Sequence, residues 1–159
     1  MIDIKFKFNE NEEQRALDVY HNIKVVYVKE DKALNSLNGG GNCFLCTGCA
    51  YTNISFDLEA KRVGGIGDLL GDLNRFKKKE IVLADKIKKG ILYVETLEEL
   101  EVGAGYDISF DNSIFYDPKN HILQMGKYDN CKELLKILGN VYIQIQEDKL
   151  QSILIVDIK

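Results

Sequence analysis

Asn130-Cys131-Lys132-Glu133-Leu134-Leu135-Lys136-Ile137-Leu138-Gly139, running into Val141-Tyr142-Ile143-Gln144-Ile145, is the stretch on which the fold class turns. Leu134, Leu135 and Leu138 recur at helical spacing, and Gly139 stands where a helix is commonly closed. The spacing predicts a helix over 130–138. Beyond it, Val141 to Ile145 and Ile153 to Ile158 read as two strands joined by a turn at Glu147-Asp148-Lys149.

Working back from this stretch, Tyr106, Ile108 and Phe110, then Ile114 to Tyr116, then Ile122 to Met125 are short β-rich runs. They are separated by turns at Asp111-Asn112 and Asp117-Pro118-Lys119-Asn120, the signature of a meander. At the other end, Ile2, Ile4, Phe6 and Phe8 alternate with Asp3, Lys5 and Lys7, a strand with one buried face. A short helix is predicted from Asn9 to His21, a strand from Ile23 to Val28, and a long loop from Lys29 to Cys49 that feeds a strand over Tyr51 to Leu58. Ile66, Leu69, Leu70, Leu73 and Phe76 recur at three and four, with Asp68 and Asp72 early and Lys77, Lys78 and Lys79 late, which predicts another helix. Ile81 to Ala84 and Ile91 to Val94 are short β-rich runs, and Thr96-Leu97-Glu98-Glu99-Leu100 has the form of a capped helical turn. Strands joined by connections too short for parallel crossovers predict an α+β fold, a mainly antiparallel twisted sheet with two or three helices packed on it. The expected core is Ile4, Phe6, Val26, Val28, Phe56, Ile108, Phe110, Ile122, Ile143, Ile145, Ile153 and Ile155, with Leu69, Leu73, Leu134, Leu135 and Leu138 laid over it from helices.

The chain has 159 residues, 45% of them hydrophobic and 29% charged, with one Pro and no Trp. That length and composition predict one globular domain with a sizeable core. No long apolar run and no signal-peptide pattern is present, so a cytoplasmic protein with reduced thiols is expected, without a membrane partner. A net charge of -4 disfavours nucleic acid as a partner and suits a basic protein.

Four features invite chemistry. Cys43-x-x-Cys46-x-x-Cys49 behind Gly39-Gly40-Gly41 has the spacing of zinc and iron-sulfur sites, and Cys131, His21 or His121 could complete the ligand set. The lack of a second close pair of ligands favours reading the same thiols as small buried apolar groups; a third reading makes one of them a nucleophile with His21 or His121 as its base. Taken as single residues, the two histidines read as caps or surface positions. Gly65-x-Gly67-x-x-x-Gly71 superficially resembles a phosphate-binding fingerprint, but Asp68 and Asp72 would sit where phosphate should rest. Arg75, Lys77, Lys78, Lys79, Lys86, Lys88 and Lys89 are either a phosphate-tracking surface or a solvated helix end. The absence of interleaved aromatics favours the latter. Glu10 to Asp18 and Glu95 to Glu101 are acidic segments that could serve solubility or a cationic partner.

The C-terminal third, from Gly105-Tyr106-Asp107-Ile108-Ser109-Phe110 through Ser113 to Asn120, then Asn130 to Lys136 and the closing Val141 to Lys159 hairpin, resembles the small immunity proteins of bacterial polymorphic toxin and contact-dependent inhibition systems. The resemblance implies a small cytoplasmic α+β binder that neutralises a cognate toxin by occupying its active-site cleft. It implies no catalytic residue and no cofactor. On that expectation a basic toxin domain would meet Glu95, Glu98, Glu99, Glu101, Asp107 and Asp111, with Tyr106, Phe115 or Tyr116 as anchors. The cysteine run departs from the pattern and keeps a metal-thiolate (zinc or iron-sulfur) or thiol redox protein, built on Cys43, Cys46, Cys49 and Cys131, as the alternative.

Overall fold

A computed structural model describes residues 1–10, 17–21, 25–30, 43–49, 52–69, 72–138 and 140–158. In chain order the strands are β1 (Lys5–Asn9), β2 (Leu17–His21), β3 (Val25–Glu30), β4 (Cys43–Cys46), β5 (Asn53–Phe56), β6 (Val63–Leu69), β7 (Lys77–Lys78), β8 (Ile87–Lys89), β9 (Ile91–Glu95), β10 (Gly105–Asp107), β11 (Ile114–Asp117), β12 (Ile122–Gly126), β13 (Leu134–Leu138), β14 (Val141–Gln146) and β15 (Lys149–Val156). Among the described residues the only helical element is one 3-10 turn, Leu73–Arg75.

The expected α+β class is therefore wrong: the protein is nearly all sheet. Each expected helix fails for a local reason. Leu134 to Leu138 is a strand in which the neighbours Leu134 and Leu135 are buried on opposite faces, and a strand that buries residues on both sides gives an apolar run that periodicity cannot separate from a helix. Ile66 and Leu69 belong to β6, where Gly67 would have weakened a helix by about 1 kcal/mol relative to Ala. The Asn9–His21 prediction gives way to β2 at its end, residues 11–16 lying outside the described residues. Thr96 does accept the Glu98 N–H at 3.1 Å, but the turn is not continued. The segment 81–84, expected as a strand, is irregular, and Cys43–Cys46, expected as loop, is a strand.

Three sheets result. The larger two have the orders β7-β11-β12-β15-β14-β13-β8 and β10-β4-β5-β6-β3-β2, and the third is the antiparallel ribbon β1-β9. The front face of the seven-stranded sheet supplies Leu123, Met125, Leu135, Ile137, Val141, Ile143, Ile153 and Ile155. These pack against Cys43, Leu45, Ile54, Phe56, Val63 and Ile66 of the six-stranded sheet. The ribbon contributes Ile4, Phe6, Leu92 and Val94 to the same core. It is tied to both larger sheets, because Phe6 N–H donates to Asp148 O at 2.9 Å and Val94 N–H to Lys61 O at 2.8 Å. Gly90 links β8 to the ribbon, where a Cβ would overlap the Asn9 carbonyl and the Phe8 ring.

Of the core residues expected from sequence, Ile4, Phe6, Phe56, Ile108, Ile122, Leu134, Leu135, Ile143, Ile153 and Ile155 are buried, and Leu73, Phe110 and Ile145 are partly so. The side chains of Val26, Val28, Leu69 and Leu138 lie outside the described residues.

The rear face of the seven-stranded sheet carries Leu134, Leu154 and Ile122, and it is covered by an irregular strap, residues 79–86, through Ile81 and Ala84. The strap starts beside β7 at one edge and enters β8 at the other. Seven strands at the usual spacing are about 29 Å wide, and a chain gains about 3.3 Å per residue at full stretch. Lys78 to Ile87 must therefore run almost straight across. Asp117, only 2% exposed, pins the strap. Its Oδ2 accepts the Ile81 N–H at 2.9 Å and the Asn120 Nδ2 at 2.8 Å, while Oδ1 accepts the Lys119 and Asn120 N–H groups at 3.0 and 3.1 Å. Further along, Tyr128 donates its hydroxyl to Val82 O at 2.8 Å, and Leu134 N–H donates to Lys86 O at 3.0 Å.

Burial by itself would push the Asp117 carboxyl up, but the hydrogen bonds from Ile81, Asn120 and Lys119 outweigh it and hold the group below its ordinary 3.8. A depressed folded-state value means that the carboxylate stabilises the fold at all pH values above the unfolded one, and that this stabilisation is lost as pH falls through the folded one. Asp117→Asn is expected to cost about 2 to 4 kcal/mol at neutral pH and to flatten the acid limb of the stability curve below pH 3.8. Urea unfolding across pH measures both. Leu134→Ala is expected to cost about 2 to 5 kcal/mol, and far-UV circular dichroism of the parent is expected to show strand without a helical band.

Candidate functional site

The acidic segment expected as a binding face is the connection from β9 to β10, and its backbone is held at several points. Thr96 donates its hydroxyl to Asp3 O at 2.8 Å, and the Glu98 carboxylate accepts the Asp3 N–H at 2.9 Å. Ile2 N–H donates to Asp107 O at 3.1 Å, so the first residues of the chain lie along the segment. The Tyr106 hydroxyl accepts the Glu101 N–H at 2.8 Å, Leu100 packs on the core, and Gly103 turns the chain with φ +83°. Tyr106 thus acts as a clamp beneath the loop, a different role from the anchor expected of it.

These restraints leave Leu97 fully exposed and Val102 68% exposed. Around them the side chains of Glu95, Glu98, Glu99, Glu101 and Asp107 are exposed as well. Two large apolar groups stand among five carboxylates on a loop whose backbone is pinned. Sequence reading found the carboxylates and missed Leu97 and Val102, the first of which falls within the expected capped turn over 96–100. The available signal was the density of acid around them, since charge on both sides of an apolar residue argues against burying it.

The other expected anchors lie elsewhere. Phe115 and Tyr116 are neighbours on β11 and so face opposite ways. Phe115 packs with the Ile81 cluster behind the sheet, and Tyr116 is 8% exposed in the front core. Asp111 caps its own turn by accepting the Ser113 N–H at 2.9 Å, and the Ser113 hydroxyl and amide hold its carboxyl below the usual range.

The cysteines do not converge. Cys43 and Cys46 are three apart on a strand, a spacing that puts them on opposite faces, whereas chelation by Cys-x-x-Cys needs a turning backbone. Cys43 and Cys49 are 0% exposed and belong to the front core. The Cys43 thiol lies 3.6 Å from Glu101 O, and Cys49 Sγ is 3.9 Å from Ser113 O. Thr47 shapes the turn that buries Cys49, its hydroxyl accepting the Cys49 N–H at 3.1 Å and donating to Thr52 O at 3.1 Å. Cys131 is exposed in the turn before β13. Among the described residues no group of three or more His, Cys, Asp or Glu is placed to hold a metal ion. Burial pushes the Cys43 and Cys46 thiols up, Asp107 adding to the effect at Cys46, which lowers the thiolate fraction a nucleophile or redox thiol needs.

His121 is exposed in the turn before β12 with φ +56°, a conformation histidine tolerates better than most residues, while the His21 side chain lies outside the described residues. Gly65 and Gly67 pair across the sheet with Ser55 and Asn53, so they open no helix toward a phosphate, and Gly71 is outside the described residues. No helix among the described residues is long and apolar enough to cross a membrane. No protein-family model matches the chain, and no curated protein matches it.

Thiol labelling checks this placement. In the native protein Cys131 is expected to react first and Cys46 more slowly, with Cys43 and Cys49 reacting only on unfolding. Fast labelling of Cys43 would mean that β4 is not buried as described.

Proposed function

We propose that this is a non-enzymatic, cytoplasmic binding protein that neutralises a cognate toxin domain, meeting a cationic surface of that partner with the loop over residues 95–107. The observation that carries the reading is the pair Leu97 and Val102, exposed within a set of carboxylates on a pinned loop. Apolar groups at the centre of a contact supply affinity, surrounding charges steer the encounter and select the partner, and a loop already held in place loses little entropy on binding. The bonds from Asp3 to Thr96 and Glu98 and the clamp from Tyr106 meet the last condition. The resemblance of the C-terminal third to immunity proteins supplies the class of partner, and a basic toxin domain complements the acidic rim.

Co-expression with the product of the adjacent gene is the test. A copurifying 1:1 complex and relief of growth arrest are expected. Leu97→Asp or Val102→Asp is expected to weaken that complex at least about 30-fold, the effect of losing a contact worth about 2 kcal/mol. Glu95→Lys with Glu99→Lys is expected mainly to slow association and to reduce its salt dependence. Growth arrest that the protein does not relieve, or a complex indifferent to Leu97 and Val102, would sink the proposal.

A further inference from the structure

The lysines that are close in sequence are divided between two places. Lys77, Lys78 and Lys79 stand at the β7 edge of the seven-stranded sheet, and Lys86, Lys88 and Lys89 at the β8 edge, with the strap between them. Short lysine-bearing strands at both edges keep a sheet from pairing with other chains, and that accounts for β8 in full. There two of the three lysines meet carboxylates, since Lys86 and Lys88 pair with Glu133 at 3.2 and 3.4 Å and Lys88 reaches Glu10 at 3.7 Å.

The β7 edge differs. Arg75, Lys77, Lys78 and Lys79 are all exposed, and among the described residues none of them pairs with a carboxylate. Three of the four lie over aromatic rings instead: Arg75 over Phe76 at 4.8 Å, Lys79 over Phe115 at 4.8 Å and Lys78 over Tyr116 at 5.3 Å. Phe76 and Phe115 are half-buried. Aromatic interleaving, limited in the linear sequence around these lysines to Phe76, is thus extended by Phe115 and Tyr116 of β11, which lies next to β7. Lys77 is in register with Phe115, and Lys79, two residues on, lies over the Phe115 ring, so the two residues fall on one side of the chain with a backbone rise of about 6.6 Å between them.

We propose that the β7 edge is a docking surface for single-stranded nucleic acid. Lys77 and Lys79 meet successive phosphates, and the Arg75 guanidinium stacked on Phe76 offers a flat cationic platform to a base. An acidic protein surface would complement the charge but would leave the stacked guanidinium and the regular cation spacing unexplained. The surface is separate from the acidic loop, and its occupation does not depend on the toxin-binding reading.

Fluorescence anisotropy of the full chain with a labelled oligouridine longer than the roughly 4 to 16 nucleotides that such surfaces span is the test. The two phosphate contacts predict that affinity falls about 7-fold as salt rises from about 50 to 200 mM. Lys77→Glu with Lys79→Glu is expected to abolish binding. Lys89→Glu with Lys132→Glu, an equal change in net charge away from β7, is expected to leave binding within about twofold, since it removes no phosphate contact. No binding at the lower salt would overturn the proposal. So would equal loss in both double variants, or displacement of the oligonucleotide by polyglutamate as readily as by unlabelled oligouridine.

Discussion

Leu154 and Ile155 are adjacent on β15, point to opposite faces, and are both 0% exposed. That single constraint, a central strand with no wet side, organises the molecule. Nothing on either face can satisfy the backbone of β15, which pairs with β14 from Lys149 to Ile155 and with β12 from Ser152 to Val156. Each face in turn needs its own cover. The six-stranded sheet and the ribbon serve in front, and the strap serves behind. The strap has no strand partner over the middle of the sheet, and side-chain groups take over some of its backbone bonds, Asp117 at Ile81 and Tyr128 at Val82. Polar side chains on the rear face answer the same need. Gln144, 3% exposed, accepts the Asp129 N–H at 3.0 Å and donates to Asp129 O at 2.7 Å, fixing the turn that precedes β13.

Strands with one dry face were legible in the sequence and strands with two were not. Ile4 and Phe6 at the start of the chain, or Ile54 and Phe56 in β5, alternate with polar residues and could be assigned to a core by period alone. Leu134 to Leu138 could not, because the second face is dried by a strap about fifty residues earlier in the chain. The adjacent apolar pair Leu134 and Leu135 was a product of that double burial. The turns were legible wherever a residue's own chemistry makes them, as at Asp111 and Asp117, whose carboxylates accept amides two and three residues on. Glu147-Asp148 was also placed correctly, although both residues take positive φ, 52° and 62°, without the Asn or Gly such hairpins prefer.

At the candidate site, charge was legible and geometry was not. Carboxylates announce themselves in a sequence wherever they fall, but Leu97 and Val102 look like any other apolar residues until the loop is seen to be pinned from the Asp3 side and from Tyr106. The lysines show the converse. A run that reads as one patch is pulled to opposite edges of a sheet, so one half meets carboxylates and the other meets rings. Proximity in sequence says little about a field when the intervening residues run nearly straight.

The pairing of Lys5 with Glu95 and of Leu45 with Tyr106 has a kinetic consequence. Both joints close long stretches of chain before any contact repays the lost entropy, and a topology rich in such joints folds slowly, on the millisecond-to-second scale rather than in microseconds. The β14-β15 hairpin, closed by a two-residue turn, is the local piece able to form early. Until the strap crosses behind it and the ribbon closes in front, that hairpin exposes an apolar surface on both sides. The interval between synthesis and completion is therefore when the chain is most prone to stick to itself.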